Sequence, residues 1–508
     1  MNLKQSRIYR KSKDELSLKS HETYCDFIQA LCRIHDCELV KPIGGFFRSK
    51  RFDLALNYAD SLVAQQYSTA SSHFLASQFA ALVRKYPWDS ALVKTNPDLK
   101  ATTDFFRSEQ KCKRLNKIYS FYGRYRSPHE YGLNEARNFI TYVLGIKPNL
   151  KSIYDQCDFG PGASIGVTGG TTHLAAKLYA RHWTVSTSAS LHASIALSRS
   201  AQVRDLCLPS RNALTCYDVE AFKKAFTDRR QITEHNKVTF VPKTARTSRA
   251  IAVEPLLNGF VQKGIDSEMR LRLKRVGINL NDQSTNQRMA RQGSLDDSDE
   301  GFVTIDLKSA SDSISTGLVR HLVPEAWFDL LNDTRSKSFK LGGTVKPYHK
   351  FCSMGNGFCF PLESLLFAAC CHASGCGVPG TDYSVYGDDI IVRKKHAPKV
   401  LNLLKVMGFR VNSGKTFLQG HFRESCGADW YKGVDVRPFT LDYRLENIEA
   451  VYKLLNLTLR NQHTADFFEE SRPSISALIP SQFLFYRPYK GNADTGIDAV
   501  GEEFLTCG

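Results

Sequence analysis

Along the first 150 residues apolar positions recur every three or four residues, the spacing of one buried helical face. Asn134 is placed as an N-cap, with Phe139, Ile140, Val143 and Leu144 on one face behind it and Gly145 as the stop. The pattern then breaks at a glycine-rich stretch, DFGPGASIGVTGG, from Asp158 to Gly170. Such a loop suits either a turn-rich connector or a backbone cradle for phosphate. Val238 to Val241 reads as a strand, followed by a basic loop from Pro242 to Arg249. From Phe302 onward short apolar strands alternate with helices. Phe302 to Ile305 is a strand that ends at Asp306, Leu362 to Cys371 is a core helix, and Tyr383 to Val392 is two strands around a Gly-Asp turn. Val400 to Met407 is helical. The tail from Leu445 begins helical and becomes loop-like around Pro473, Pro480 and Pro488, with a frayed end. No repeat of 20–50 residues and no low-complexity segment is found.

Composition narrows the class. The 508 residues are 42% hydrophobic and 23% charged, a globular balance with enough chain for several domains. Aromatic residues at 11% exclude disorder over most of the length. The formal net charge of +17 favours polyanionic partners, nucleic acid or an anionic surface. The first residues, MNLKQSRIYRKSKDEL, lack the apolar core of a signal peptide, and no apolar run is long enough to span a bilayer. A cytosolic protein with reduced thiols is expected. Cys25, Cys32, His35 and Cys37 form one cluster, and Cys370, Cys371, His372 and Cys376 another. Neither has paired C-x2-C spacing, and both sit in helical patterns, so they read as small hydrophobes rather than zinc ligands.

The chemistry concentrates in three segments. Ile305 to Asp312 places one acid at a strand end and a second six residues on. Ser353-Met354-Gly355-Asn356-Gly357 is a turn leading into a helix, and Tyr386-Gly387-Asp388-Asp389 lies between apolar strands. Adjacent carboxylates beside Val385 and Ile390 would repel each other and lose hydration, and a divalent cation relieves both penalties. Hard oxygen donors in a partly hydrated site favour Mg2+, and two such ions clamp an in-line phosphoryl displacement. Asp306, Asp388 and Asp389 are the expected ligands, with Asp388 the closer of the pair and Asp389 the more peripheral. A single acid of this kind is usually a cap or a turn former, whereas the ordered set is far more specific. Between Lys223 and Arg249 basic residues outnumber Asp228 and Glu234, and they alternate with hydroxyl side chains that also bond phosphate. A solvated basic face is the plainer reading. Gly414-Lys415-Thr416 mimics the end of a nucleotide-binding P-loop, but the required glycine position holds Phe409, with Gly408 one residue off, so an ATPase is rejected.

The stretches VPKTARTSRAIAVEP, INLNDQSTNQR, DLKSASDSIS, SMGNGFCFPLESLLFAA, VYGDDIIV, KTF and FRESCGADWYKGVDVRPF run in order from Val241 to Phe439. In these the sequence resembles the replicase beta subunit of small positive-strand RNA bacteriophages, the levivirus family of the Qβ and MS2 type, and DFGPGAS upstream resembles it too. The resemblance implies an RNA-directed RNA polymerase with an α+β, right-hand architecture of fingers, palm and thumb. Residues 1–220 would be a helical contribution to the fingers, 221–291 a basic fingers segment, 292–421 the catalytic palm and 422–508 the palm end and thumb. It implies that Asp306, Asp388 and Asp389 bind two Mg2+ ions, with Mn2+ as a substitute. Asp312 matches the acid that reads the incoming ribose, with Asn356 and, second, Ser353 assisting at the 2′-hydroxyl. Lys243, Arg246 and Arg249 match the basic loop over the triphosphate. Lys415 resembles the lysine proposed as general acid for departing pyrophosphate, and Cys426 and Gly427 the turn under the primer end. Implied partners are RNA template and product, ribonucleoside triphosphates and the host elongation factors Tu and Ts, with ribosomal protein S1 in some relatives and no membrane. The implied location is the cytoplasm of the bacterial host. A reverse transcriptase and a basic RNA-packaging protein are the competing readings. Asp312 and Asn356 favour ribose over deoxyribose, and a packaging protein needs no carboxylate trio.

Overall fold

The computed structural model describes residues 20–121, 130–167, 173–203, 219–459, 461–488 and 492–499. The expected frayed end and the last three residues of the glycine-rich stretch lie outside them. The residues cluster into two compact units that ignore chain order. One holds residues 1–100, 242–248 and 434–508; the other holds 101–241 and 249–433. The four consecutive segments 1–220, 221–291, 292–421 and 422–508 expected from the sequence are therefore not the units observed.

In the first unit, the helix Ser20–Ile34 buries Tyr24, Phe27, Ile28 and Leu31, one face at helical spacing. Thr69 caps the helix Ala70–Lys85 by accepting from the Ser72 N–H at 3.1 Å. Tyr24 and Tyr86 stack, and Phe79, Leu454, Phe467 and Phe468 share the same core. Gln78 joins the two ends of the chain inside this unit. Its amide donates to the Phe439 carbonyl at 3.0 Å and accepts from the Phe439 N–H at 2.8 Å. Here residues 361 apart in number are bridged by one buried amide, which no local pattern announces.

In the second unit, the helix Glu130–Leu144 already contains Asn134, which therefore does not cap it. Gly145, at φ +66°, is the left-handed residue that ends it. Strands β1 (Trp183–Val185) and β2 (Arg230–Ile232) form a small parallel pair. Strands β3 (His235–Thr244) and β4 (Thr247–Val253) form a hairpin that continues through β6 (Ser338–Leu341) and β7 (Thr344–Pro347) in the order β4-β3-β6-β7. The expected basic loop is thus mostly strand, turning at Ala245-Arg246. Alternating small, hydroxyl and basic residues suit an exposed hairpin as well as a loop, which is why composition misled.

The central sheet runs β5-β9-β8, with β5 (Phe302–Ile305), β8 (Tyr383–Tyr386) and β9 (Asp389–Arg393) antiparallel. Val303, Ile305, Ile390 and Val392 join the main core on one face, while Phe302 and Ile391 pack on Met289 and Ala290 of the helix Ser284–Leu295 on the other. Burial on both faces explains why these strands read as unbroken apolar runs. The helix Cys359–Ala373, nearly all buried, carries Cys370 and Cys371 as core residues with no exposure. Among the described residues no helix is long and apolar enough to cross a membrane.

Candidate active site

The sheet register assembles the site. Ile305 faces Ile390 across the sheet, so Asp306 leaves β5 opposite the start of β9, where Asp389 stands. Asp388 occupies the two-residue turn between β8 and β9. Gly387 opens that turn at φ +62°, which glycine adopts without strain, and a Cβ there would meet the Phe360 ring at 2.5 Å. The Gly387 N–H donates to Ser364 Oγ at 2.9 Å, seating the turn on the helix Cys359–Ala373. Asp388 is exposed, and Asp306 and Asp389 are half-buried.

Electrostatically the three acids are short of cations. Burial, and then the neighbouring Asp388, push the Asp306 carboxyl up to about 7 against the lowering effect of Lys415. Burial and then Asp388 push Asp389 up to about 6, with the Cys426 N–H partly offsetting them. Glu363, buried on the same helix next to Ser364, is pushed well above the carboxylate range by burial and then by Asp388. The nearest cation is Lys415, and it is already engaged. Its ammonium lies 2.6 Å from Glu424 and 3.9 Å from Asp306, with the side chain 47% exposed. The segment that carries it runs beside β5, through bridges Thr304–Phe417 and Leu307–Val411, which explains how a distant lysine arrives at the acid.

The donor set fits a hard divalent cation: three carboxylates, one of them open to solvent, and too little positive charge among their neighbours. The fit is one of charge and donor chemistry. Among the described residues no three His, Cys, Asp or Glu side chains already converge as a metal cage.

The other expected residues have more definite partners. Asp312 accepts from Lys350 Nζ at 2.7 Å. Asn356 and Ser353 are buried. The Asn356 side-chain oxygen accepts from the Phe358 N–H at 3.1 Å, and Ser353 Oγ donates to the Tyr348 hydroxyl at 3.3 Å. Gly355 stands at φ +109°, and a Cβ there would lie 2.2 Å from the Ala252 carbonyl oxygen, so the turn tolerates no side chain. Arg246 belongs to the first unit, where it meets Asp60 at 2.8 Å and Asn57 at 2.5 Å. Lys243 is exposed in that unit and Arg249 is exposed in the second. The basic trio is therefore divided between units.

The glycine-rich stretch is a carbonyl site. Buried Lys177 donates to the carbonyls of Gly160 and, at 2.6 Å, Gly162. Cys426 and Gly427 form the turn between β10 (Phe422–Ser425) and β11 (Ala428–Tyr431), at φ +48° and +73°. Helix Ser284–Leu295 ties that turn to the acids. Asn286 Nδ2 donates to the Asp389 carbonyl and to Ser425 Oγ, both at 3.2 Å, and Gln287 Nε2 donates to the Cys426 carbonyl at 3.0 Å.

Sequence reasoning missed Lys350, Glu109, Tyr348, Glu254 and Glu363. Only Glu363 carried a signal, a lone acid in an apolar helix. Glu254 is fully enclosed by donors: Asn236 at 2.8 Å, Ser336 at 2.8 Å and Gln262 at 3.1 Å. Gln262 in turn accepts from the Gly357 N–H at 2.9 Å, so this hub carries the turn of Ser353 to Gly357.

Comparison with known proteins follows the same residues. The profile of the family described as RNA replicase, beta-chain, matches residues 53–470. The chain is 41% identical over 343 residues to the RNA-directed RNA polymerase beta chain of Escherichia phage MS2, covering 66% of this chain and 59% of the relative. It is 34% identical over 388 residues to the RNA-directed RNA polymerase subunit beta of Escherichia virus Qbeta, covering 74% and 60%. Each match thus spans less than two thirds of the relative's own length. Among solved structures, the RNA-dependent RNA polymerase of BmCPV at its elongation state aligns over 69% of this chain and 33% of that chain. At 12% identity and a TM-score of 0.38 that likeness is too slight to carry any argument.

Proposed function

We propose that this chain, which belongs to the RNA replicase beta-chain family, is the catalytic chain of an RNA-directed RNA polymerase. It copies single-stranded phage RNA by nucleotidyl transfer from ribonucleoside triphosphates, with release of pyrophosphate. The observation that carries this reading is the meeting of Asp306 with the Asp388-Asp389 turn at the end of a buried sheet, with too few cations to balance them. The sheet β5-β9-β8 is the palm of a right-hand architecture in this reading.

Asp306, Asp388 and Asp389 would hold two Mg2+ ions, with Mn2+ as a substitute. Bound there, the ions would supply an acidified 3′-hydroxyl and neutralisation of the triphosphate. The chain's own residues do the rest. Lys415, half-exposed beside Asp306, would give its proton to the departing pyrophosphate. Asp312 accepts from the ribose 2′-hydroxyl, the group that separates RNA from DNA precursors, with the Asn356 amide and Ser353 beside it. Lys243, Arg246 and Arg249, the basic residues that the resemblance puts over the triphosphate, would offset its charge. The Cys426-Gly427 turn supports the primer end. Template RNA follows basic surface, so its binding weakens as salt rises. The host elongation factors Tu and Ts, and ribosomal protein S1, are proposed partners in the cytoplasm of a bacterial host.

The test is incorporation of labelled ribonucleotides on a short RNA template with Mg2+, with and without bacterial extract. Wild type should incorporate and lose all incorporation with a chelator. Asp388→Asn should incorporate nothing yet bind RNA nearly as well as wild type. Retained incorporation in that variant would sink the mechanism.

A further inference from the structure

Lys350 has no exposed surface at all, yet carries a charge. An ammonium taken out of water loses several kcal/mol of hydration unless acceptors replace it. Its acceptors are specific. Nζ donates to Asp312 Oδ1 at 2.7 Å, lies 3.9 Å from Glu109 Oε1, and sits 3.7 Å from the centre of the Phe105 ring. Glu109 is anchored on the far side, where its other oxygen accepts from the His349 N–H at 2.6 Å. The backbone at Lys350 is bridged to Ser315, three residues beyond Asp312. The lysine can therefore swing away from the acid only by breaking a packed, bonded cage.

The same short segment also supports Ser353. Tyr348, two residues before Lys350, donates to Asn236 Oδ1 at 2.8 Å and accepts from Ser353. Tyr348 and Lys350 thus join Asp312 and Ser353 to one rigid support.

We propose that Lys350 is the positioning residue for sugar selection: it fixes Asp312 in one rotamer, by one oxygen, so that the other oxygen is available to a ribose hydroxyl. The inference rests on the reading of Asp312 as the ribose acceptor. A site that spends a half-buried carboxylate on a hydroxyl disfavours a substrate lacking it, because the carboxylate then loses a partner. That penalty depends on the carboxylate being unable to turn elsewhere. With Lys350 removed, Asp312 can rotate to another donor or to water, and the deoxynucleotide is no longer penalised.

The test uses the full chain, in whatever assembly supports incorporation, and compares kcat/KM for a ribonucleotide and its deoxy counterpart. Lys350→Met, close in volume and uncharged, should lower the ribose preference on the order of 10- to 100-fold. The change should come mainly from the deoxynucleotide becoming a better substrate. Lys350→Arg, which keeps the charge, should recover much of the preference. A lysine needed only for packing would slow both nucleotides alike and leave their ratio untouched. Should Lys350→Met fail to fold, Glu109→Gln/Lys350→Met removes a buried carboxylate along with the ammonium and carries the same readout. Asp312→Asn separates the two ideas. If it collapses the preference while the folded Lys350 variant leaves the ratio within twofold, the role of Lys350 is overturned and Asp312 stands. If Asp312→Asn itself leaves the ratio unchanged, the ribose reading of Asp312 fails and the role of Lys350 falls with it.

Discussion

The β3–β4 hairpin and the β8–β9 hairpin both carry charge at a tight turn, and they dispose of it in opposite ways. At the first, Arg246 closes on Asp60 and Asn57, and Asp60 also accepts from Arg84 at 2.7 Å, all within one unit. At the second, Asp388 and Asp389 join Asp306, Glu363 and Glu424, and Lys415 beside them is bound to Glu424. One turn is balanced by its own fold and the other is left in deficit. A deficit that folding could have avoided, beside a solvent-open carboxylate, marks a place kept for a ligand.

The largest expected effect sharpens that contrast. On the proposed reading Asp306→Asn should lower incorporation on the order of a thousandfold or more, since it removes a carboxylate from the reacting centre. Its melting temperature should hold or rise by a few degrees, because a half-buried, mutually repelling carboxylate is gone. A clear fall in melting temperature would show that the acids are structurally satisfied, and the contrast would break.

Glu254→Gln is the counter-case inside the same unit. Both oxygens of Glu254 face donors, so an amide NH2 must oppose one of them, and about 2 kcal/mol of stability should be lost. Denaturant midpoints compared with Asp306→Asn should move in opposite directions.

Arg246→Ala should cost about 1 kcal/mol or less, since the ion pair is partly exposed and screened, and incorporation should fall less than about tenfold. A collapse comparable to that of Asp388→Asn would mean that Arg246 leaves Asp60 for the substrate.

The smallest effect concerns acid. Burial holds His73, in the first unit, down at about 4. Burial and then Arg137 hold His321, in the second, at about 4 as well. A depressed folded value means stability that is whole above the ordinary value of 6.5 and is lost as pH falls through 4. Between pH 7 and pH 4 each ring should lower the melting temperature, opposed in the second unit by Asp306 and Asp389, and His321→Gln should remove its share of the fall. A His321→Gln curve parallel to wild type over that range would contradict the burial assigned to that ring.

The acids, their turn and the helix beneath them are legible along the chain. Those features are local: a strand ends in Asp306, Gly387 opens a two-residue turn, and an unbroken apolar run from Leu365 to Cys371 has no option but the core. Patterns of two and of three to four residues are enough to show them. Local spacing erred where two structures share one composition, as in the basic stretch that became a hairpin and in Asn134, which lies inside its helix. Only the tertiary structure decided the supports. Lys350 meets Asp312 across 38 residues of sequence, Gln78 meets Phe439 across 361, and Lys415 reaches Asp306 by running alongside its strand. A buried polar group must find a partner wherever the packed chain brings one. Its identity is therefore set by which distant segments share a core, a property that no window of neighbouring residues contains.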